Sequence, residues 1–311
     1  MRLSIEKVNI VEVGPRDGLQ NEKVVIPTAV KIDFITALGD AGLRVIEVGA
    51  FVSPKWVPQM ADSAEVFRDV PKDPGVTYPM LVPNMRGLER ALEVGVKSIS
   101  IFTAASDTFN QRNINMTVAD SIVQYAPVVA RAISEGVRVR GYVSTAFGCP
   151  YEGDVEPERV LEICARLLDL GCYEVSVGDT IGVGTPLQVQ GVIGMLLQVI
   201  PPSKLAMHFH DTRGTALANT LAALEMGIMT FDASAGGLGG CPFAPGASGN
   251  LATEDLVYML DGMRIETGVD LNLLVEASKI IGPYLDHALP GKALQACTRG
   301  TLPIGTATPV Q

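Results

Sequence analysis

Short apolar runs that follow a glycine recur at five places along the chain. They begin at Gly42, Gly95, Gly136, Gly171 and Gly227. Each is preceded by a segment with helix-like character, so the glycine fits the left-handed residue that ends a helix, and the run fits a strand that starts soon after. The pattern predicts a repeating unit of helix, glycine and strand.

Three more apolar runs, at residues 8–13, 76–82 and 205–210, fill the gaps between these units. They bring the predicted strands to eight, and eight strands alternating with helices predict an α/β fold of the (β/α)8 TIM-barrel type. The main alternative is a doubly wound open sheet, which usually carries a glycine-rich nucleotide turn after its first strand. Gly14-Pro-Arg-Asp-Gly18 is not that turn.

Apolar stripes along two predicted helices support the barrel, because each stripe provides one face for packing on the sheet. The stripes are Ile32, Ile35 and Leu38 in residues 28–41, and Leu217, Leu221 and Leu224 in residues 215–226. Thr28, which follows Pro27, is predicted to cap the first of these helices. No linker or change in composition interrupts the chain, so we expect residues 1–311 to form one domain, with the barrel at about 8–270 and additional helices and a tail at about 271–311.

Composition narrows the possible functions. Hydrophobic residues make up 47% of the chain, enough for a large core, but no apolar stretch is long enough to span a bilayer and the first residues lack a signal-peptide core. Five scattered cysteines without a CxxC pair suit reduced thiols, and we expect a cytoplasmic protein with no membrane partner. A formal net charge of -10 opposes binding to nucleic acid.

The segment His208-Phe209-His210 holds two of the three histidines of the chain and ends a predicted strand. Residues two apart on a strand point to the same face, so both imidazoles would project together from a barrel mouth. The alternative is a pair of core or surface histidines, but the strand-end position favours a metal site. Asp17 and Asn250 would complete a mixed nitrogen and oxygen set suited to an octahedral divalent ion.

Other polar residues also fall at predicted strand ends: Arg16, Glu47, Arg140, Tyr142 and Asp179. Arg16 is either an ion-pair partner of Asp17 or a guanidinium that stabilises an enolate oxygen as charge develops on it. Glu47 is either a catalytic group or a structural partner of Arg16 inside the barrel, and both interpretations stay open.

Cys241 follows a segment, residues 236–240, in which four of the five residues are glycines. A cysteine is ordinarily a small buried hydrophobic residue, but a glycine-rich loop can move and deliver a thiol to a closed site. The spacing matches neither a P-loop nor a dinucleotide fingerprint, so a mobile lid is preferred over a phosphate loop.

At these residues the chain closely resembles the hydroxymethylglutaryl-CoA lyase family, within the superfamily of metal-dependent barrel lyases and Claisen-type synthases. The matching segments cover residues 11–23, 51–60, 178–186, 208–212 and 237–260, so the resemblance extends over about residues 8–270. Long matching runs at several strand ends are far more specific than an HxH pair alone.

The resemblance implies a Mg²⁺ or Mn²⁺ ion on Asp17, His208, His210 and Asn250, with Arg16 stabilising the enolate. It places Asp179 and Glu47 near the substrate hydroxyl, and Cys241 as a catalytic residue on the lid. It also implies substrate contacts by Arg16, Gln20, Asn113, Arg140 and Tyr142, and a homodimer. The family reaction cleaves the C2–C3 bond of 3-hydroxy-3-methylglutaryl-CoA, an acyl-CoA thioester, to acetyl-CoA and acetoacetate.

Two segments depart from the family pattern. Val48-Gly49-Ala50 stands where the lyases commonly have a Thr-Ser pair, and Arg213-Gly-Thr215 stands where many have Tyr-Gly-Gln. Both are predicted close enough to the mouth to alter which acyl group fits. A lyase for a related 3-hydroxy-3-alkylglutaryl-CoA and a Claisen-type synthase are therefore the alternatives within the superfamily, and a non-catalytic barrel that binds CoA or metal is the alternative outside it.

Overall fold

Parallel strands close into a barrel in the computed structural model, which describes residues 5–240 and 249–298. The strands are β1 Asn9–Glu12, β2 Val45–Ile46, β3 Gly49–Ala50, β4 Met80–Leu81, β5 Ser98–Ala104, β6 Arg138–Ser144, β7 Glu174–Asp179, β8 Leu205–Phe209 and β9 Thr230–Ala233. Their order is β2-β1-β9-β8-β7-β6-β5-β4-β3. Because β2 and β3 are two parts of one interrupted strand, this order closes the ring with eight strand positions and confirms the predicted fold.

Helices follow the strands and surround the barrel. They are α1 Thr28–Asp40, α2 Ser63–Asp69, α3 Met85–Glu93, α4 Asp107–Ile114, α5 Val118–Ser134, α6 Pro157–Leu170, α7 Pro186–Leu196, α8 Ala216–Glu225, α9 Thr253–Gly262, α10 Leu271–Ile281 and α11 Lys292–Thr298. Helix α10 packs against α1, and α11 packs against α9. These two helices are the predicted C-terminal additions to the barrel.

The five glycines of the sequence repeat all end helices in the same way. Each has a positive φ, from 71° at Gly136 to 111° at Gly171. At Gly136, for example, the glycine N–H donates to the Ile133 carbonyl and the Val137 N–H donates to the Ala132 carbonyl, both at 2.9 Å. This is the Schellman arrangement, and it turns the chain from each helix into the next buried strand.

Two details of the predicted helices are wrong. Thr28 does not cap α1, because the helix already begins at Thr28 and Pro27 holds the cap position. The Thr28 hydroxyl instead donates to the Asp62 carboxylate at 2.9 Å. On α8, Leu224 is buried but Leu221 is 36% exposed, so the apolar stripe is narrower than the periodicity predicts.

The two faces of the sheet differ in chemistry. Residues on the outer face, such as Ile99, Val139, Val175 and Met207, are buried and apolar, and they form the main core beneath the helices. The inner face instead carries buried polar side chains, including Ser100, Arg140, Ser176 and Asp232. The barrel interior is therefore a polar network below the carboxyl ends of the strands, where barrels of this kind place their active sites.

Within the described residues, no helix combines the length and the apolar character needed to cross a membrane.

A glycine with a positive φ at the end of a helix and a glycine inside a helix should respond in opposite ways to substitution by alanine. Gly136→Ala should lower the free energy of unfolding by about 1 kcal/mol, because a Cβ there meets no atom within 4 Å and only the positive φ opposes it. Gly191→Ala lies inside α7 and also meets nothing within 4 Å, so it should raise stability by about 0.5–1 kcal/mol. Urea unfolding of both variants tests this, and equal effects of the two would contradict it.

Candidate active site

Arg16 and Asp17 lie in a tight turn, Gly14–Gly18, directly after β1. The N–H groups of Arg16, Asp17 and Gly18 all donate to the Val13 carbonyl, at 3.1, 2.7 and 3.2 Å. Gly18 allows the turn to pack closely on the glycine loop after β9, because a Cβ at Gly18 would lie 2.7 Å from the Leu238 Cβ. The turn therefore holds both charged side chains over the barrel mouth.

His208 and His210 lie at the carboxyl end of β8, with their ring centroids 5.2 Å apart. Together with Asp17 they form a group whose potential ligand atoms all lie within 4.8 Å of one another. The structure thus brings together three of the four residues predicted to bind metal in one candidate metal-binding cluster.

Asn250, the fourth predicted ligand, joins this cluster through backbone pairing. The Asp211 N–H donates to the Gly249 carbonyl, and the Leu251 N–H donates to the Phe209 carbonyl, so Asn250 lies beside His210. The side-chain amide donates to the Asp17 Oδ2 at 2.9 Å and to the Leu238 carbonyl at 3.0 Å. Its Oδ1 is buried without a hydrogen-bond partner, as is His210 Nδ1. Both are lone-pair donors of the kind that a metal ion needs.

The pKa values of the two histidines are shifted in opposite directions. Burial alone would lower the pKa of His208, but the Asp232 and Asp17 carboxylates outweigh it and leave that pKa above its ordinary value. Burial and the neighbouring His208 lower the pKa of His210 to about 3, so its imidazole is neutral. A neutral imidazole is the form that binds metal.

Asp232 is a site residue that sequence reasoning missed. It lies directly across from His208 in the pairing of β8 with β9. Its Oδ2 is 3.2 Å from His208 Nδ1 and accepts from the Ser176 hydroxyl at 2.7 Å. This contact orients the ring so that Nε2 faces Asp17, 3.9 Å from its Oδ2. The sequence feature that could have identified Asp232 is a carboxylate within the otherwise apolar strand after Gly227, which neighbours the strand of the histidine pair.

Arg16 is fixed by two carboxylates. Its Nε is 2.6 Å from the Glu47 Oε2, and its Nη1 is 2.6 Å from the Asp17 Oδ1. Glu47 is fully buried and also accepts from the Ser100 hydroxyl. Of the two interpretations of Glu47, the geometry matches the partner of Arg16 inside the barrel.

Arg140, which the sequence predicts as a substrate contact, is enclosed inside the barrel. It is 1% exposed and pairs inside the barrel with Glu174 at 2.7 Å and Asp232 at 2.8 Å. Its Nη1 donates to the Tyr142 hydroxyl at 3.0 Å. Because its donors face these groups, Arg140 supports the site from below instead of lining the cavity.

Asp179 likewise lies behind the cavity wall. Its carboxylate accepts from the N–H groups of Val183 at 3.0 Å and Gly184 at 2.9 Å, and so closes its own loop. Burial raises its pKa, and those hydrogen bonds oppose the shift. Its neighbours Gly178 and Thr180 line the cavity in its place, and Glu47 does not line it either.

A cavity of about 800 Å³ opens over the cluster. Its buried end is formed by Arg16, Asp17, His208 and His210, and the predicted substrate contacts Gln20, Asn113 and Tyr142 also line it. Gly240 lines it as well, at the end of the described part of the glycine loop. The predicted catalytic residue Cys241 lies outside the described residues.

The fold and the site together define the class of this protein. It is a closed parallel α/β barrel that carries a candidate Asp-His-His metal site at the carboxyl ends of its strands. The family follows from comparison with known proteins. The model of the HMGL-like family matches residues 7–281, and the chain belongs to that family. The resemblance inferred from the sequence is thereby confirmed.

Individual relatives agree over nearly the whole chain. The mitochondrial hydroxymethylglutaryl-CoA lyase of Macaca fascicularis is 53% identical over 291 residues, 94% of this chain and 90% of the relative. A crystal structure of hydroxymethylglutaryl-CoA lyase from Pseudomonas aeruginosa is 52% identical, with a TM-score of 0.94 over 96% of this chain and 99% of that one. An HMG-CoA lyase from Acinetobacter baumannii, in complex with coenzyme A and 3-methylmalate, is 39% identical, with a TM-score of 0.90 over 98% of each chain.

The contact between Asp232 and His208 predicts a specific loss of metal affinity. Asp232→Asn should weaken Mn²⁺ binding by roughly 10–100-fold, because the amide no longer holds the Nδ1–H tautomer as firmly. Ser176→Ala is the matched control, since it removes a hydrogen bond to the same carboxylate without touching His208. Isothermal titration with Mn²⁺ measures the affinity of both variants. An unchanged affinity in folded Asp232→Asn would contradict a role for this contact in metal binding.

Proposed function

We propose that the protein is a divalent-metal-dependent lyase that cleaves 3-hydroxy-3-methylglutaryl-CoA to acetyl-CoA and acetoacetate. The observation that carries this proposal is the Asp17, His208 and His210 cluster at the buried end of a large cavity, in a chain that is 53% identical to a mitochondrial hydroxymethylglutaryl-CoA lyase. The acyl end of the thioester would reach the cluster, and the rest of the CoA moiety would extend toward the solvent-exposed opening of the cavity.

The donor set suits Mg²⁺ or Mn²⁺. Asp17 and Asn250 offer oxygen, His208 and His210 offer nitrogen, and no sulfur is needed. The unpartnered Asn250 Oδ1 and His210 Nδ1 support this fit, because buried polar atoms without a partner are costly unless a ligand satisfies them. When bound, such an ion polarises the hydroxyl and carbonyl oxygens of the substrate and lowers the pKa of the hydroxyl.

Arg16 is the residue we assign to the charge that develops during cleavage. A base takes the proton of the C3 hydroxyl, and that oxygen becomes the keto oxygen of acetoacetate as the C2–C3 bond breaks. The electrons of the broken bond move toward the thioester oxygen and form the enolate of acetyl-CoA. The Arg16 guanidinium lies at the cavity and is already oriented by Glu47 and Asp17, so it can stabilise that oxygen with little reorganisation. Glu47 is then a positioning residue.

Protonation of the enolate carbon completes the reaction. We assign this stage to the glycine loop, with Cys241 as the thiol that it delivers. The support is positional: Gly240 lines the cavity, and Cys241 is its neighbour along the chain.

The two departures from the family pattern bear less on the choice of acyl group than their sequence positions suggest. The segment 48–50 is not part of the cavity lining. Arg213 donates to the carbonyls of Ile181 and Gly182, both at 3.0 Å, and Thr215 donates to the Gly184 carbonyl at 3.1 Å. Arg213 and Thr215 therefore hold a loop in place and, like residues 48–50, do not line the cavity. Since neither departure enlarges the cavity, we favour the methyl substrate over a longer alkyl analogue.

Two further predictions from the sequence stay predictions: a homodimeric assembly and a location in the cytoplasm.

Turnover of a panel of thioesters tests the proposed function. With Mg²⁺ present, 3-hydroxy-3-methylglutaryl-CoA should give acetyl-CoA and acetoacetate in equal amounts, and longer C3 alkyl groups should lower kcat/KM. Product formation is followed by chromatography. If a longer analogue is the better substrate, the acyl assignment is wrong; if no thioester is cleaved, the lyase assignment itself fails.

A further inference from the structure

We infer that Glu12 is a positioning residue that keeps the turn of Arg16 and Asp17 aligned with the segment between β9 and α9, which carries the glycine loop. This inference rests on the proposed function, since Arg16 is assigned to the enolate oxygen and the glycine loop to the enolate carbon of the same intermediate. Two groups that act on one intermediate need a fixed geometry relative to each other.

Glu12 is the last residue of β1 and is fully buried. Its Oε1 accepts from the N–H groups of Gly14 and Ala235, both at 2.8 Å. Its Oε2 accepts from the Thr253 hydroxyl at 2.6 Å. Gly14 begins the turn that carries Arg16, Ala235 lies just after β9, and Thr253 begins α9. One carboxylate therefore joins the turn to both ends of the β9–α9 segment.

The surface between the turn and the glycine loop consists largely of glycine backbone. A Cβ at Gly18 would lie 2.7 Å from the Leu238 Cβ, and a Cβ at Gly239 would lie 3.2 Å from the Gly18 Cα. Gly14 approaches the carboxylate just as closely, because a Cβ there would lie 2.6 Å from the Glu12 Oε1. Glycines allow this close approach but provide no side chains that interlock. The alignment of the two parts therefore depends on directional hydrogen bonds.

A buried carboxylate is an unfavourable residue for a position that serves stability alone. The three donors to Glu12 are neutral groups, and burial raises its pKa to about 7 in spite of them. An apolar side chain at this position would avoid the desolvation of a charge. What the carboxylate adds is an acceptor that reaches three donors at once, and an amide oxygen at the same place can accept from the two N–H groups as well.

The parts that Glu12 joins act at the same cavity. Arg16 lies at its buried end, and Gly240 of the glycine loop also lines it. Asn250, in the returning part of the β9–α9 segment, donates to the Asp17 Oδ2 at 2.9 Å. Without the Glu12 contacts the turn could shift against this segment. Glu12 itself does not line the cavity, so its loss should lower kcat and metal affinity and should leave KM nearly unchanged.

Glu12→Met removes all three contacts at nearly the same side-chain length. At saturating Mn²⁺, kcat for 3-hydroxy-3-methylglutaryl-CoA should fall roughly 10–100-fold, because small displacements of reacting groups have effects of this size. Isothermal titration should show weaker Mn²⁺ binding, since Asp17 and Asn250 are carried by the two parts that are no longer joined. Glu12→Gln retains an oxygen for the two N–H groups and should recover most of both losses.

Two further variants make the test specific. Thr253→Val removes one of the three contacts, so it should cause a smaller loss of kcat, and no further loss when it is combined with Glu12→Met. Ser234→Ala is the matched control. The Ser234 hydroxyl is buried in the same junction, 3.2 Å from the place of a Gly14 Cβ, and has no hydrogen-bond partner among the described residues. Its removal should change neither kcat nor Mn²⁺ affinity. Circular dichroism verifies that each variant is folded.

The outcomes separate this inference from the proposed function. If the wild type cleaves the thioester and Glu12→Met keeps its kcat and its Mn²⁺ affinity, the positioning role is overturned and the lyase assignment stands. The role is also overturned if Glu12→Gln loses as much as Glu12→Met. If Glu12→Met does not fold, an unchanged Thr253→Val overturns the role. If no thioester is cleaved but Mn²⁺ affinity falls in Glu12→Met and not in Ser234→Ala, the positioning role stands and the lyase assignment fails.

Discussion

Buried charge inside the barrel is the constraint on which the site depends. Two guanidinium groups are enclosed with four carboxylates in linked ion pairs, formed by Arg16, Arg140, Asp17, Glu47, Glu174 and Asp232. Charges taken out of water must be paired or must coordinate a metal, since an isolated buried charge is very costly. Two positive and four negative groups leave a formal charge of minus two. A divalent cation at Asp17 would balance this negative charge. Two of the same carboxylates, Asp232 and Asp17, also raise the pKa of His208.

The same ion pairs explain how the reacting groups are oriented before substrate arrives. Glu47 holds the Arg16 guanidinium from below, and Arg140 holds Asp232, which in turn holds His208. Arg16 and His208 therefore each have a carboxylate partner deeper in the barrel, and those two partners come from different parts of the barrel wall. Preorganisation of this kind reduces the rearrangement needed when charge develops on an enolate oxygen.

Local rules predicted much of this from the sequence. A left-handed glycine after each of five helices marked where strands begin, because that conformation is open to few other residues. The spacing of His208 and His210 predicted their shared face, and their strand-end position predicted Asp17 as a neighbour. The partners beneath the site did not follow from such rules. Asp232 meets His208, and Arg140 meets Glu174, only through the pairing register of neighbouring strands, which single-strand patterns do not contain.

Metal binding by a histidine variant tests the central claim most directly. His210→Ala removes a neutral, buried member of the cluster. His287→Ala removes the third histidine of the chain, which lies with Glu22 and Asp286 in a second histidine–carboxylate group away from the cavity, and it therefore controls for metal bound outside the active site. After equilibrium dialysis against Mn²⁺, bound metal and thioester cleavage are measured on the folded variants. We expect His210→Ala to lose the tightly bound ion and its turnover, and His287→Ala to keep both. Full metal content and full turnover in His210→Ala would contradict the account.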